Sequence, residues 1–226
     1  MFQNLIDIIA APSAAFARLK EKPTVLFPLL LVLLASASVQ VGYILLTDRG
    51  FLIDQQMEQV ETMFPNITDA QLEQMTENAR ATSTTALILN ASISTALILF
   101  LIMALYALYL KFASKFSFND MGWKAWMSMV SWTSIPTVFG ALASWVVLLT
   151  NANGQVPMQE LNALNFSNLL GLDVDSGPLL YLTPLYFWCF ALLALGYQHW
   201  TKKSLVASAL IALGPYIVIF ALWGLL

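Results

Sequence analysis

The residues of this chain that could do chemistry are polar side chains set inside long uncharged stretches. Asn90 and Ser92 lie in one such stretch, and Ser131 and Ser134 in another. An amide and three hydroxyls donate and accept hydrogen bonds, so four of them converging would line a polar pathway for a neutral solute or a lipid. The same groups also bind helix to helix, because Ser, Thr and Asn hydrogen-bond across close-packed helices in lipid at about 0.6–2 kcal/mol each. Packing is the simpler of these two readings. Ionisable candidates are fewer still. His199 stands beside Trp200 and Lys202 at the edge of an apolar run, where an interfacial histidine is expected. Cys189 is the one cysteine; it reads as a small core residue and has no intrachain disulfide partner. One His and one Cys cannot assemble the usual zinc set. No nucleophile–base pair, phosphate-binding Gly loop or paired membrane carboxylates can be read. No catalytic, cofactor-binding or metal-binding residue is therefore expected, and the chain reads as non-enzymatic.

The elements that must hold these residues are set by five stretches free of Lys, Arg, Asp, Glu and His: 23–47, 81–110, 125–159, 176–198 and 204–226. About 20 apolar residues cross a hydrocarbon core as a helix, and backbone groups in lipid must be satisfied within the segment. The chain is 59% hydrophobic and 10% charged, against about 25% charged in soluble domains, with a mean hydropathy of +0.73. The expected fold is an all-α membrane protein. It is a bundle of five transmembrane helices with short amphipathic interfacial and extracytoplasmic helices, in a single domain over 1–226. The spans are expected at about 25–46, 86–110, 126–149, 179–197 and 204–225. Segment 1–24 is cytoplasmic and amphipathic, and 47–85 and 150–178 are external loops.

Charge gives the orientation. Arg18, Lys20 and Lys22, then Lys111, Lys115 and Lys124, then Lys202 and Lys203 alternate with connections holding only Arg49 and Arg80. The positive-inside bias places the N-terminus in the cytoplasm and the C-terminus outside. The outer connections carry Asp48, Asp54, Glu58, Glu61, Asp69, Glu73 and Glu77, then Glu160, Asp173 and Asp175. An acidic outer face excludes nucleic acid as a partner, since phosphate binding needs clustered cations.

Local signals fill in the connections. Phe2, Leu5, Ile6 and Ile9 share a helical face, and Ser13 could cap a second helix through Lys22 with Phe16 and Leu19 inward. The pair reads as an interfacial segment on the cytoplasmic leaflet. Ile53, Met57, Val60 and Phe64 form one amphipathic face. Thr68 with Gln71 is a capping-box pattern opening a second short helix, with Leu72 and Met75 inward. Pro136, Pro184 and Pro215 are expected to bend the third, fourth and fifth spans. Trp123, Trp126, Trp200, Trp223 and Tyr181 read as interface anchors, while Trp132, Trp145 and Trp188 read as packed deeper. Asn66-Ile67-Thr68 and Asn165-Phe166-Ser167 are sequons of a kind common by chance.

Ala11-Pro12-Ser13-Ala14-Ala15-Phe16-Ala17-Arg18-Leu19-Lys20-Glu21-Lys22-Pro23 resembles the P-x-x-x-F-x-x-L-x-x-x-P opening of bacterial members of the Yip (Ypt-interacting protein) family. Lys115-Phe116-Ser117-Phe118 and Ser134-Ile135-Pro136 are similar to that family's cytoplasmic turn and "S-x-P" helix. The glycine- and tyrosine-rich central signature of eukaryotic relatives, which are linked to small GTPases and vesicle traffic, is not found here. The resemblance implies a non-enzymatic, multi-pass protein of the bacterial inner membrane with a periplasmic C-terminus, and it supplies no catalytic residues. The partners implied are the lipid bilayer and either a protein partner or a second copy. Membrane organisation or scaffolding is the first expected role; a scramblase or carrier for a lipid or small neutral solute is the alternative.

Overall fold

The computed structural model describes residues 2–117, 121–151, 153–172 and 177–223, and only the backbone of 177, 178, 220 and 223. Phe118, Asp173, Asp175 and the Trp223 side chain lie outside that description. All regular structure among the described residues is helical: α1 (Phe2–Ala10), α2 (Pro12–Glu21), α3 (Leu26–Leu46), α4 (Arg49–Met63), α5 (Asp69–Ala81), α6 (Thr84–Lys115), α7 (Trp123–Thr133), α8 (Thr137–Thr150), α9 (Phe166–Leu170), α10 (Pro184–Thr201) and α11 (Leu205–Trp223), with a 3-10 turn at Gly177–Leu180. Among the described residues three segments are long and apolar enough to cross a membrane: α3, α6 and Trp123–Thr150, which takes in α7 and α8. α10 ends in the polar and aromatic run Gly196-Tyr197-Gln198-His199-Trp200-Thr201, and in α11 the apolar helix Leu205–Ile219 is shorter. An apolar surface on α6 (Leu89, Ile93, Leu97, Leu101, Leu105), α8 (Leu142, Val146) and α11 (Val206, Leu210, Val218) faces outward, as lipid-facing helices require.

Prolines shape three of the helices differently. Pro136 lies between α7 and α8. There the Ile135 N–H falls back on the Trp132 carbonyl (3.2 Å), and the Thr137 hydroxyl donates to the Ser134 carbonyl (2.7 Å). Pro184 corrects the expectation of a bend in the fourth span. It stands in the first turn of α10, where a missing N–H has no partner to lose, and Thr183 caps that turn by accepting from the Tyr186 N–H (3.3 Å). Pro215 is inside α11. Its missing N–H leaves the Ile211 carbonyl without its helical donor, and the Tyr109 hydroxyl of α6 supplies one (2.8 Å). The Tyr106 hydroxyl donates to the neighbouring Ala212 carbonyl. The carbonyls of α11 beside its proline are thus bonded directly to α6.

At the end of the bundle that carries α4 and α5, here termed the outer end, α3 packs closely on α8. A Cβ on Gly42 would lie 2.7 Å from the Trp145 ring, so only glycine permits this approach. The Trp145 indole donates to the Ser38 hydroxyl (3.0 Å). α4 and α5 form the hairpin expected of 47–85. Thr68 and Gln71 make the capping box. Ile53, Met57 and Val60 are buried, while Phe64 follows the end of α4 and is exposed. No α5 residue is buried: Leu72 is half-buried and Met75 exposed, so the inward face expected for α5 is not formed.

At the opposite end, α1 and α2 dock on the bundle. Phe16, Leu19 and Ile8 are fully buried against Trp126, Tyr197 and Trp200. The Trp200 indole donates to the Phe16 carbonyl (2.9 Å), and a Cβ on Gly196 would meet the Phe16 ring at 2.9 Å. Trp126 and Trp200 were expected to anchor at the interface; both are instead core residues, because α2 covers the face of α7 and α10 that carries them. The cap expected at Ser13 is also corrected. Ala11 precedes the helix and Pro12 begins it, with no side-chain cap. Pro12 fits because the first turn requires no donor.

Candidate functional site

A cleft walled by α3, α6, α8 and α10 runs along the bundle. It consists of three adjoining cavities of about 330, 440 and 260 Å3 that share lining residues. The inner cavity lies among Ser36, Tyr106, Ser134, Tyr186, Cys189 and Tyr216. The middle one shares Ser36, Leu99, Thr137 and Tyr186 with it and adds Gln40, Thr95 and Asn162. The outer one shares Gln40 and Met158 and adds Tyr43, Asn90, Ser94 and three glutamines of α4. From Tyr106 to Leu87 the wall follows α6 for about 28 Å at the rise of an α-helix, close to the roughly 30 Å thickness of a hydrocarbon core.

Two properties decide what the cleft can do. Ile98 and Ile102 belong to its wall and are also about half exposed on the side of the bundle, so the cleft opens sideways as well as toward the outer end. Its lining is mixed: Leu99, Leu185, Phe190 and Leu193 are apolar, and hydroxyls and amides punctuate them, but among the described residues no Lys, Arg, Asp, Glu or His lines any of the three cavities. Such a surface suits an acyl chain and can hydrogen-bond an uncharged group. Among the described residues no three His, Cys, Asp or Glu side chains converge on a possible metal position.

The four residues read from the sequence do not form one group. Ser134 lines the inner cavity and its hydroxyl donates to the Val130 carbonyl (2.8 Å). Asn90 lines the outer cavity, with the Ser94 hydroxyl 3.4 Å from its Oδ1. Ser131 is buried, bonds the Met127 carbonyl of its own helix (2.8 Å) and does not line the cleft. Ser92 does not line it either, and its buried hydroxyl has no hydrogen-bond partner among the described residues. Sequence reasoning missed Ser36, Gln40 and Tyr186, and it read Thr95 and Thr137 only among the hydroxyls of the second and third spans; these five connect the two ends. A signal existed for the first pair: Gln40 is the only carboxamide of the first apolar stretch, and Ser36 precedes it by four residues, on the same helix face.

The outer loop is pinned beside this cleft. The Tyr43 hydroxyl donates to the Val156 carbonyl (3.0 Å), and Gln55 accepts from the Met158 N–H (3.1 Å). The Ser144 hydroxyl donates to the Leu161 carbonyl (2.8 Å). Asn165 is fully buried and accepts from the Asn168 N–H (2.6 Å) to start α9, so the second sequon is a helix cap.

No match was found among curated proteins or among solved structures. The Yip1 domain model matches residues 6–226, which takes in the docked α2, the broken α7–α8 segment and every wall of the cleft. The chain belongs to the Yip1-domain family of membrane proteins.

Proposed function

We propose that this chain is a non-enzymatic, five-span protein of a bacterial inner membrane whose cleft takes an amphipathic lipid or a small neutral solute. Its N-terminus is cytoplasmic and its C-terminus periplasmic. The observation that carries the reading is the side-open, uncharged cleft between α3, α6, α8 and α10. A side opening suits a ligand arriving from the bilayer, and a mixed lining suits one that is apolar along most of its length. Reconstitution tests it: liposomes holding the protein should move a fluorescent lipid or a neutral solute between leaflets or compartments faster than empty liposomes. Replacing Thr137 by Trp, which fills the shared wall of the inner and middle cavities, should remove the difference. Equal rates with and without protein across a broad panel would sink the transport reading.

A second reading, membrane organisation or scaffolding of partners, is supported by the cytoplasmic end. α1 and α2 are held in a fixed pose by Arg18, which donates to Asn4 (2.7 Å) and pairs with Asp7, and by Lys20, whose ammonium reaches the Trp200 carbonyl (3.4 Å). A rigid surface suits recognition by a protein partner or a second copy. Cross-linking in native membranes should then recover a specific partner or oligomer through this face, and a solitary monomer would remove the support.

A further inference from the structure

We propose that the outer mouth of the cleft selects a lipid with an uncharged, hydroxyl-rich headgroup, such as a glycosyl diacylglycerol, over anionic and zwitterionic phospholipids. The inference rests on the reading of the cleft as a lipid site and assigns its headgroup class. The mouth is a cavity of about 260 Å3 where α3, α4 and α6 meet, lined on its polar side by Gln40, Tyr43, Gln55, Gln56, Gln59 and Asn90. Four of these six residues are carboxamides of α3 and α4, and a fifth is the asparagine of α6. That is a dense set of amides at the edge of an apolar bundle.

The bonding state of these groups separates structure from recognition. Tyr43 and Gln55 are committed to the loop, through Val156 and Met158. Gln40, Gln56 and Gln59 make no hydrogen bond to another described residue, and Asn90 has only the long contact from Ser94, to its oxygen. Each free carboxamide presents two N–H donors and a carbonyl acceptor, the pattern that answers a hydroxyl able to give and take one bond. A phosphate calls for cations, and the mouth has none. Arg49 of α4 is occupied by the Ala79 and Thr82 carbonyls at the end of α5 (2.6 and 2.8 Å). Arg80 is on α5, which does not contribute to the lining. The other charges of α4 are Asp54, Glu58 and Glu61, exposed on its outer side, and they repel an anion. A phosphodiester here would lose water without gaining a counter-charge, whereas a sugar exchanges water for amide partners. An ammonium headgroup likewise finds no carboxylate among the described residues of the lining. Below the mouth, Ile98, Leu99 and Leu185 continue the cleft as an apolar channel for an acyl chain.

Native mass spectrometry of the full chain, equilibrated with equimolar monoglucosyl diacylglycerol, phosphatidylglycerol, phosphatidylethanolamine and diacylglycerol, tests this. The glucosyl lipid should be retained roughly tenfold over phosphatidylglycerol, the size of one or two net hydrogen bonds, and also over the other two. The double variant Gln56→Ala, Asn90→Ala changes only exposed side chains; it should bring the four lipids near parity while lipid is still retained. Gln59→Lys should raise phosphatidylglycerol retention. Equal retention of phosphatidylglycerol or phosphatidylethanolamine by the unaltered chain, or a preference unchanged in the double variant, would overturn the headgroup assignment and leave the cleft reading standing. Retention of none of the four lipids would overturn both.

Discussion

Asp7 and Phe16 show how single side chains hold the N-terminal cap of α1 and α2. The Asp7 carboxyl lies below its ordinary value, first because Gln3 donates to it (3.0 Å to each oxygen) and second because Arg18 pairs with it. A carboxylate with a lowered pKa adds stability that is complete above the ordinary value of 3.8 and disappears as pH falls through the lowered one. A spin label at exposed position 2 should therefore stay restricted at neutral pH and gain mobility only below about 3.8. With Asp7→Asn it should be mobile at every pH, and a pH-independent spectrum in the unaltered chain would contradict the role given to this pair. Phe16 works by packing, not charge. Its ring lies against Gly196, and its carbonyl accepts from the Trp200 indole N–H. Phe16→Ala should cost about 3–5 kcal/mol and render Arg18 and Lys20 sensitive to trypsin. Unchanged protection in that variant would mean that α2 is held by other contacts. The sequence shows Phe16 and Leu19 on one helix side, but it does not show what covers them. Tryptophans near a span end suit a lipid interface and a protein cap equally well, and the choice at Trp126 and Trp200 is made by α2, far away in sequence.

At the scale of elements, the attachment of α11 to α6 depends on a bond that the helix itself cannot make. Pro215 withholds a donor from the Ile211 carbonyl, and Tyr109 replaces it. In lipid an orphan carbonyl finds no water, so Tyr109→Phe should cost about 1–3 kcal/mol. In a Pro215→Ala background the helix recovers its own N–H at that position, and the same tyrosine change should cost much less. A thermal-denaturation double-mutant cycle measures this coupling, and additive effects would show that Tyr109 contributes only packing. Much at this scale was legible. The uncharged stretches mark where the long helices lie, Thr68 and Gln71 mark the start of α5, and Pro136 marks the division of α7 from α8. What was not legible depends on a partner surface. α5 buries no residue, although its spacing suggests an inward face. Pro184 sits at a helix start because the chain leaves a 3-10 turn just before it. The cleft was legible only at its ends, through Asn90 and Ser134. Its middle is made by Gln40, Thr137 and Tyr186 coming from three different helices, and single polar residues in separate apolar runs carry no mark that they will meet.

For the whole molecule, the decisive question is how many times the chain crosses the bilayer. α10 starts beside the outer loop, where the rings of Phe187 and Phe166 meet edge to face at 5.7 Å, and it ends at α2, where Lys20 reaches the Trp200 carbonyl. It therefore traverses the bundle from the loop end to the capped end. Lys202 then adopts a left-handed conformation (φ 60°), which turns the chain before α11. α11 packs along α10 back into the bundle, where Tyr216 meets Phe190 with ring centroids 4.5 Å apart. At 1.5 Å per residue, the 18 residues of α10 and the 19 of α11 span about 27 and 28 Å, close to a hydrocarbon core of about 30 Å. The cations around that turn, Lys202 and Lys203, fit the side that already holds Arg18, Lys20 and Lys22. On the proposed five-span reading, α10 and α11 add two crossings to the three long apolar segments, and an odd number would put the termini on opposite sides. An alkaline phosphatase fused after Leu226 should consequently be active, and the same enzyme fused after Lys203 inactive, with a fluorescent protein giving the reverse pattern. Phosphatase activity at Lys203, or its loss at Leu226, would make α10 and α11 a hairpin that enters and leaves by one face, and would close the count at three.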